Sequence, residues 1–168
     1  MGEAIVVTSG KGGVGKTTTS ANLGTALALN GKKVCMVDTD IGLRNLDVVM
    51  GLENRIIYNL VDVAKGRCSL QKALIKDKRF DHLFLLPAAQ TEDKDSISPE
   101  NVQSIVLELK KEFDFVIIDC PAGIEQGFRN AVAGADRAIV VTTPEQAAVR
   151  DATALSGCWR KPASARRS

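Results

Sequence analysis

Residues Gly10-Lys-Gly-Gly-Val-Gly-Lys16-Thr17 match G-x-x-x-x-G-K-[ST] at every specified position, directly after the β-branched apolar run Ala4-Ile-Val-Val-Thr8. No other feature constrains the fold as tightly. A strand must end, the backbone must curl, and a helix must begin within a few residues. Consecutive glycines permit the curl and let several N–H groups converge on one anion. The helix that follows adds its N-terminal dipole. Lys16 then supplies a point charge for β- and γ-phosphates, and the Thr17 hydroxyl is a Mg²⁺ ligand by type. At average composition such a match arises by chance in about one chain in a few hundred. The competing reading, a flexible Gly-rich turn, does not explain the strand before it and the helix after it.

Four further runs read as strands: Lys33–Asp38, His82–Pro87, Phe113–Asp119 and Arg137–Thr142. They are apolar on both faces rather than alternating, the pattern of strands buried on both sides of a parallel sheet. Helical patterns fill the gaps. Thr17 to Leu29 carries Leu23, Ala26, Leu27 and Leu29, and Asn30-Gly31 stops it. Ser98-Pro99-Glu100 places a cap, a first-turn proline and an acid before Val102, Ile105, Val106 and Leu109. Pro144-Glu145 opens another helix. The alternation predicts an α/β fold of the P-loop NTPase kind, with a doubly wound, mostly parallel sheet flanked by helices.

Composition narrows the classes. The chain has 168 residues, 45% hydrophobic and 25% charged, which excludes a disordered, collagenous or coiled-coil chain. No apolar run approaches the roughly 18 residues of a membrane span. The formal charge of +2 is too small to argue for nucleic acid. The four cysteines (Cys35, Cys68, Cys120, Cys158) show no metal-ligand spacing and read as small hydrophobes. His82 reads as structural or surface, Met36 and Met50 as core filler, and Tyr58 has no evident role.

Three carboxylates stand where a phosphate site needs them. Asp119 ends the apolar strand Phe115-Val-Ile-Ile, as a Walker B acid does, and Asp38 and Asp40 follow Met36-Val37. Carboxyl ends of parallel strands line the binding crevice of an open sheet, so all three should face the P-loop.

Lys11-Gly-Gly-Val-Gly-Lys-Thr-Thr18 resembles the deviant Walker A motif, marked by a second lysine early in the loop. Asp38-Thr-Asp-Ile-Gly-Leu-Arg-Asn-Leu-Asp47 is similar to switch I, and Asp119-Cys-Pro-Ala-Gly-Ile-Glu125 to switch II, of the MinD family of septum-site-determining ATPases. The resemblance runs from Gly2 to about Ala152 and includes Ile139–Pro144 and Val149-Arg-Asp151. It implies an ATP hydrolase with slow intrinsic turnover, using ATP and Mg²⁺. The nucleotide would be held by Gly10, Lys11, Gly12, Gly13, Val14, Gly15, Lys16, Thr17, Thr18 and the Gly123 backbone. The metal would be held by Thr17, Asp38 and Asp119. Lys11, Lys16 and Asp40 would be the catalytic side chains, Lys11 reaching across an ATP-bound homodimer and Asp40 positioning the attacking water. The family implies a division inhibitor and a topological regulator as partners, no nucleic acid, and a cytoplasmic protein peripheral at the cell membrane through a C-terminal helix.

Two relatives and one other class compete. An iron–sulfur relative needs a cysteine a few residues beyond switch II, and none follows Cys120 before Cys158. A DNA- or plasmid-partitioning relative needs a basic surface. Lys72, Lys76, Lys78 and Arg79 cluster, but Asp77 and Asp81 interrupt them, as on a solvated face. The rival of another class is a nucleotide-binding scaffold with negligible turnover.

The last segment differs from the rest. Arg160, Lys161, Arg166 and Arg167, and the single Trp, lie within it without one acid. The expected organisation is a P-loop ATPase domain over 1–152, incomplete relative to the family and lacking its C-terminal strands, and a non-family tail over 153–168, irregular or disordered. Without the family's later residues, nucleotide affinity should be weakened or absent, the membrane helix missing and stability poor. A reading-frame change is the expected origin of the tail. One assignment of codons from Thr153 to Ala165, read one base earlier, gives D-R-I-I-G-L-L-E-K-A-G-I-R, a helix continuation with apolar residues on one face. Sequencing the gene through the Ala152 codon is expected to show a one-base loss there; an intact frame with a native stop after Ser168 refutes it.

Overall fold

The apolar runs become strands because each has two faces to bury. Val34–Asp38 is buried at every position, and Phe115–Asp119 at all but its first. The computed structural model describes residues 1–159. In chain order the elements are β1 (Glu3–Thr8), α1 (Lys16–Leu29), β2 (Val34–Asp38), α2 (Leu46–Met50), α3 (Leu60–Ala64), α4 (Leu70–Ala73), β3 (Ile75–Lys76), β4 (Leu83–Leu86), α5 (Pro99–Glu112), β5 (Phe115–Asp119), α6 (Gln126–Ala133), β6 (Arg137–Val140) and α7 (Gln146–Trp159). Short 3-10 turns lie at Glu53–Arg55 and Lys94–Ser96. One sheet runs β3-β4-β2-β5-β1-β6, and only β3 is antiparallel to its neighbour.

Alternate strand residues feed two cores. Ala4, Val6, Val116 and Ile118 point to the side covered by α5 and α6 with Val102, Ile105, Val106, Leu109 and Phe128. Val7, Met36, Leu85 and Ile117 point to the side of α1 and α2 with Ala21, Ala28, Leu46 and Met50. This is the doubly wound arrangement expected for strands without alternation. Register aligns the strand ends that matter: Asp119 pairs with Val7 on one side and Asp38 on the other. The two acids and the start of the P-loop therefore share one rim of the sheet.

Two helices differ from their expected patterns. In α1 the buried residues are Ser20, Ala21, Gly24 and Ala28, while Leu29 is 69% exposed. Small side chains let the helix that carries the P-loop lie close on the sheet, and Leu23 and Leu27 pack only at the margin. By contrast α5 keeps its expected face: Val102, Ile105, Val106 and Leu109 are buried, and Ser98 and Asn101 form a capping box ahead of them.

The larger difference is α7. An irregular chain was expected from residue 153, yet the helix runs through Ala152 to Trp159. The physical reason is packing. Leu155 is 1% exposed in the core on the α5 side, and Trp159 lies against the same cluster. An isolated glycine costs a helix only about 1 kcal/mol relative to Ala, so Gly157 does not end it. Residues 160–168 of the expected tail lie outside the described residues. Leu155→Ala is expected to lower the unfolding free energy by about 2–4 kcal/mol in denaturant titration; a change below about 0.5 kcal/mol is the surface value and refutes the packing of α7.

Candidate nucleotide site

Asp119, at the end of the central strand β5, is 1% exposed and gathers three side chains from α1. Lys16 Nζ donates to its Oδ1 at 3.1 Å, Thr17 Oγ1 to its Oδ2 at 2.8 Å, and Ser20 Oγ to its Oδ1 at 3.1 Å. Lys16 itself is 10% exposed, so this is a largely desolvated pair whose charges compensate each other. The Asp119 carbonyl accepts from the Thr39 amide at 3.0 Å and from Thr39 Oγ1 at 2.8 Å. One residue thereby ties the P-loop helix and the loop after β2 to the sheet. Ser20 and Thr39 were not singled out from sequence; Ser20 sits one helical turn beyond Lys16 and Thr17 on the same face, which is the available signal.

Asp38 is fully buried, and each of its oxygens accepts a backbone N–H from the loop that follows: Asp40 at 2.9 Å and Leu46 at 3.2 Å. Burial pushes its carboxyl up to about 7, and the charges of Asp119 and Asp40 push the same way, against the two amides. Asp40 is half-buried; burial raises its carboxyl, Lys16 lowers it and Asp119 raises it. Farther along, Asp47 is fully buried, and Arg44 Nε lies 2.8 Å from its Oδ2. Burial raises the Asp47 carboxyl and Arg44 opposes the shift. Arg44 holds this position with φ +40°, a left-handed conformation that a side chain rarely adopts.

The P-loop borders an open cleft. Gly13 and Gly15 have φ +75° and +94°, and a Cβ on Gly12, Gly13 or Gly15 would meet no heavy atom within 4 Å. These glycines border a cavity of about 690 Å³, also lined by Ser9, Lys16, Thr17, Thr18 and Asp40. The far wall is Leu43, Asn45, Val48, Val49, Lys94, Pro121 and Ala122, none of which sequence reasoning had marked individually. That wall forms only when loops from three strand ends converge.

Several expected residues stand off the cavity. Gly10 faces α7, where a Cβ would collide with Asp151. Its need for glycine is a close approach between elements, not the curl of the loop. Val14, Asp38 and Asp119 are not among the residues that line the cavity. Lys11 is exposed and its Nζ lies 3.5 Å from Glu145 Oε2. The Gly123 amide, expected to face a γ-phosphate, instead donates to the Ser9 carbonyl at 3.0 Å. That bond joins the loop after β5 to the residue that follows β1.

The remaining expectations concern less reactive groups. Cys35 and Cys120 are fully buried, and burial pushes the Cys120 thiol up to about 12. Met36 and Met50 are core residues, and His82 is exposed. The basic cluster pairs with its interrupting acids, Lys76 with Asp81 and Arg79 with Asp77, each at 3.1 Å. Among the described residues, no three His, Cys, Asp or Glu side chains are grouped to hold a metal by themselves, and no helix is long and apolar enough to cross a membrane. Mg²⁺ does not require such a group, because it keeps waters and phosphate oxygens in its shell beside one or two carboxylates.

Comparison with known proteins places this geometry in context. A family described as AAA domain matches residues 2–161. The septum site-determining protein MinD of Bacillus subtilis (strain 168) is 75% identical over 158 residues, covering 94% of this chain and 59% of the relative. The Synechocystis MinD is 63% identical over 94% of this chain, again spanning 59% of the relative. The chain therefore spans about three-fifths of the length of these curated relatives. Among solved structures, the MinC:MinD cell division complex of Aquifex aeolicus is similar with a TM-score of 0.83 and 51% identity, over 95% of this chain and 66% of that one. MinD of Pyrococcus horikoshii complexed with Mg-ADP has a TM-score of 0.85 at 34% identity, over 94% of this chain and 65% of that one.

The hub at Asp119 has a direct consequence. Asp119→Ala removes the partner of a largely buried ammonium and two hydroxyls, and should destabilise the ligand-free protein by about 2 kcal/mol in urea titration. An unchanged midpoint would show that these bonds contribute nothing to the folded state.

Proposed function

The chain belongs to the AAA domain family, and we propose that it is an ATPase of the MinD type, binding ATP with Mg²⁺ in the P-loop cavity and hydrolysing it slowly. The observation that carries the reading is the convergence of Lys16, Thr17 and Asp119, beside an open glycine cradle, on one rim of a parallel sheet. A ligand rich in anionic oxygens meets the loop amides, the α1 N-terminus and the Lys16 ammonium together.

The donor set suits a hard cation. Thr17 Oγ1 and Asp119 Oδ2 already lie 2.8 Å apart, and Asp38 is the next carboxylate in register. Thr17, Asp119 and Asp38 would hold Mg²⁺, directly or through water. When bound, the ion supplies charge neutralisation at the phosphate oxygens. Asp40, half-buried on the cavity wall, positions a water for attack on the terminal phosphate, with Lys16 opposing the rise in its pKa. No strong base is needed, because phosphoryl transfer rests on positioning and charge.

Lys11 serves a second subunit in this reading. It lies outside its own cavity, exposed and weakly paired with Glu145, so its cation is free to meet the phosphates of a facing copy. Gly123 responds to the nucleotide through switch II; engagement with a γ-phosphate requires release of its bond to Ser9. The biological role proposed is placement of the division septum. ATP-gated dimerisation controls peripheral membrane association and binding of a division inhibitor, and a topological regulator stimulates hydrolysis. The Aquifex MinC:MinD complex supports the inhibitor as a partner.

Steady-state ATPase assays on the wild type, Lys16→Ala and Asp40→Ala test the reaction. Lys16→Ala is expected to lose nucleotide binding. Asp40→Ala should keep binding while turnover falls at least about tenfold. Wild-type binding with no turnover above the Asp40→Ala level would instead identify a nucleotide-binding scaffold.

A further inference from the structure

Two cationic side chains among the described residues line the P-loop cavity, and only one of them belongs to the motif. Lys16 is engaged with Asp119 at 3.1 Å. The other is Lys94, in the 3-10 turn Lys94–Ser96 between β4 and α5. Its ammonium makes no hydrogen bond or ion pair with any described residue. Lys94 also lines a second, smaller cavity of about 70 Å³, and Asp40, Pro121 and Ala122 line both. Lys94 and Asp40 thus stand together on the partition between the two spaces. Their charges sense each other, since Lys94 lowers the Asp40 carboxyl against the rise caused by burial.

The backbone beneath Lys94 is held in place. Two residues before it, Glu92 accepts from Lys65 Nζ at 2.9 Å and Arg67 Nη1 at 2.7 Å; two residues after it, Ser96 Oγ donates to the same carboxylate at 3.3 Å. The Arg67 and Lys65 hydrogen bonds hold Glu92 down at about 2. The Ser96 amide closes the turn on the Asp93 carbonyl at 2.9 Å. An unanchored surface lysine would be an ordinary solvated charge. Here a fixed turn delivers a cation without an internal partner to the wall that carries the proposed water-positioning acid.

We propose that Lys94 contacts the terminal phosphate of a bound nucleoside triphosphate and makes the site discriminate triphosphate from diphosphate. This rests on the nucleotide reading above. The P-loop amides meet the phosphates that ATP and ADP share, and Lys16 spans the β- and γ-phosphates. Lys94, beside Asp40, meets the group that only the triphosphate has, and its charge offsets the repulsion between that group and the Asp40 carboxylate.

The test is calorimetric titration of the full 168-residue chain with Mg-ATP and with Mg-ADP, for the wild type, Lys94→Met, Lys94→Arg and Lys16→Ala. Lys94 is exposed, so Lys94→Met is expected to fold, and a melting curve matching the wild type verifies it. Lys94→Met should weaken Mg-ATP about tenfold and leave Mg-ADP within about twofold, and Lys94→Arg should restore most of the Mg-ATP affinity. Equal losses for both nucleotides, or no loss, overturn the role of Lys94 while leaving the nucleotide site intact. A folded wild type that binds neither nucleotide overturns the nucleotide reading and the Lys94 role together. Selective loss in Lys16→Ala alone shows that the loop lysine already accounts for the discrimination and also overturns the proposal.

Discussion

The carboxylate of Asp119 is the contact on which the rest of the site depends. It ends the strand at the middle of the sheet, is nearly excluded from water, and would be costly there without partners. Lys16, Thr17 and Ser20 satisfy it from α1, while its carbonyl holds Thr39. The need to satisfy one buried anion thus brings the P-loop helix and the loop after β2 to the same rim. The register of β5 between β1 and β2 makes this possible, because Val7, Asp119 and Asp38 lie at one level.

A second buried carboxylate organises the neighbouring loop. Asp38 receives the amides of Asp40 and Leu46 and so folds the intervening residues across the cavity. That fold carries Asp40, Leu43 and Asn45 to the wall, together with the left-handed Arg44 and its buried partner Asp47. A nucleotide entering the cavity would add charge beside Asp38, Asp40 and Asp119. Those three carboxylates are the groups here on which an added anion would act first.

Much of this was legible before the fold was known. Five strands, the doubly wound class, the capped start of α5 and the stop at Asn30-Gly31 follow from local patterns that tertiary packing leaves intact. The elements that were not foreseen are β3, α2, α3, α4 and α6, which span two to eight residues and are too short for a period to show. The buried face of α1 is not legible from its leucines, because close approach to the sheet selects the small residues Ser20, Ala21, Gly24 and Ala28. The length of α7 is not legible locally, because a weak period with a glycine gives no sign that Leu155 meets a core built by distant residues.

The motif alone determined that the chain has a strand, a glycine-rich turn and a helix arranged for anionic oxygens, with Lys16 and Thr17 at its mouth. Local chemistry requires these residue types at that spacing, whatever surrounds them. Tertiary structure decided which of the marked residues meet. It placed Gly12, Gly13, Gly15, Lys16, Thr17, Thr18 and Asp40 on one cavity and left Lys11 turned outward toward Glu145. It also joined Gly123 to Ser9 and brought Lys94 to stand beside Asp40. Those relations depend on strand order and on loops converging from separate strand ends, and no period or spacing along the chain encodes such convergence.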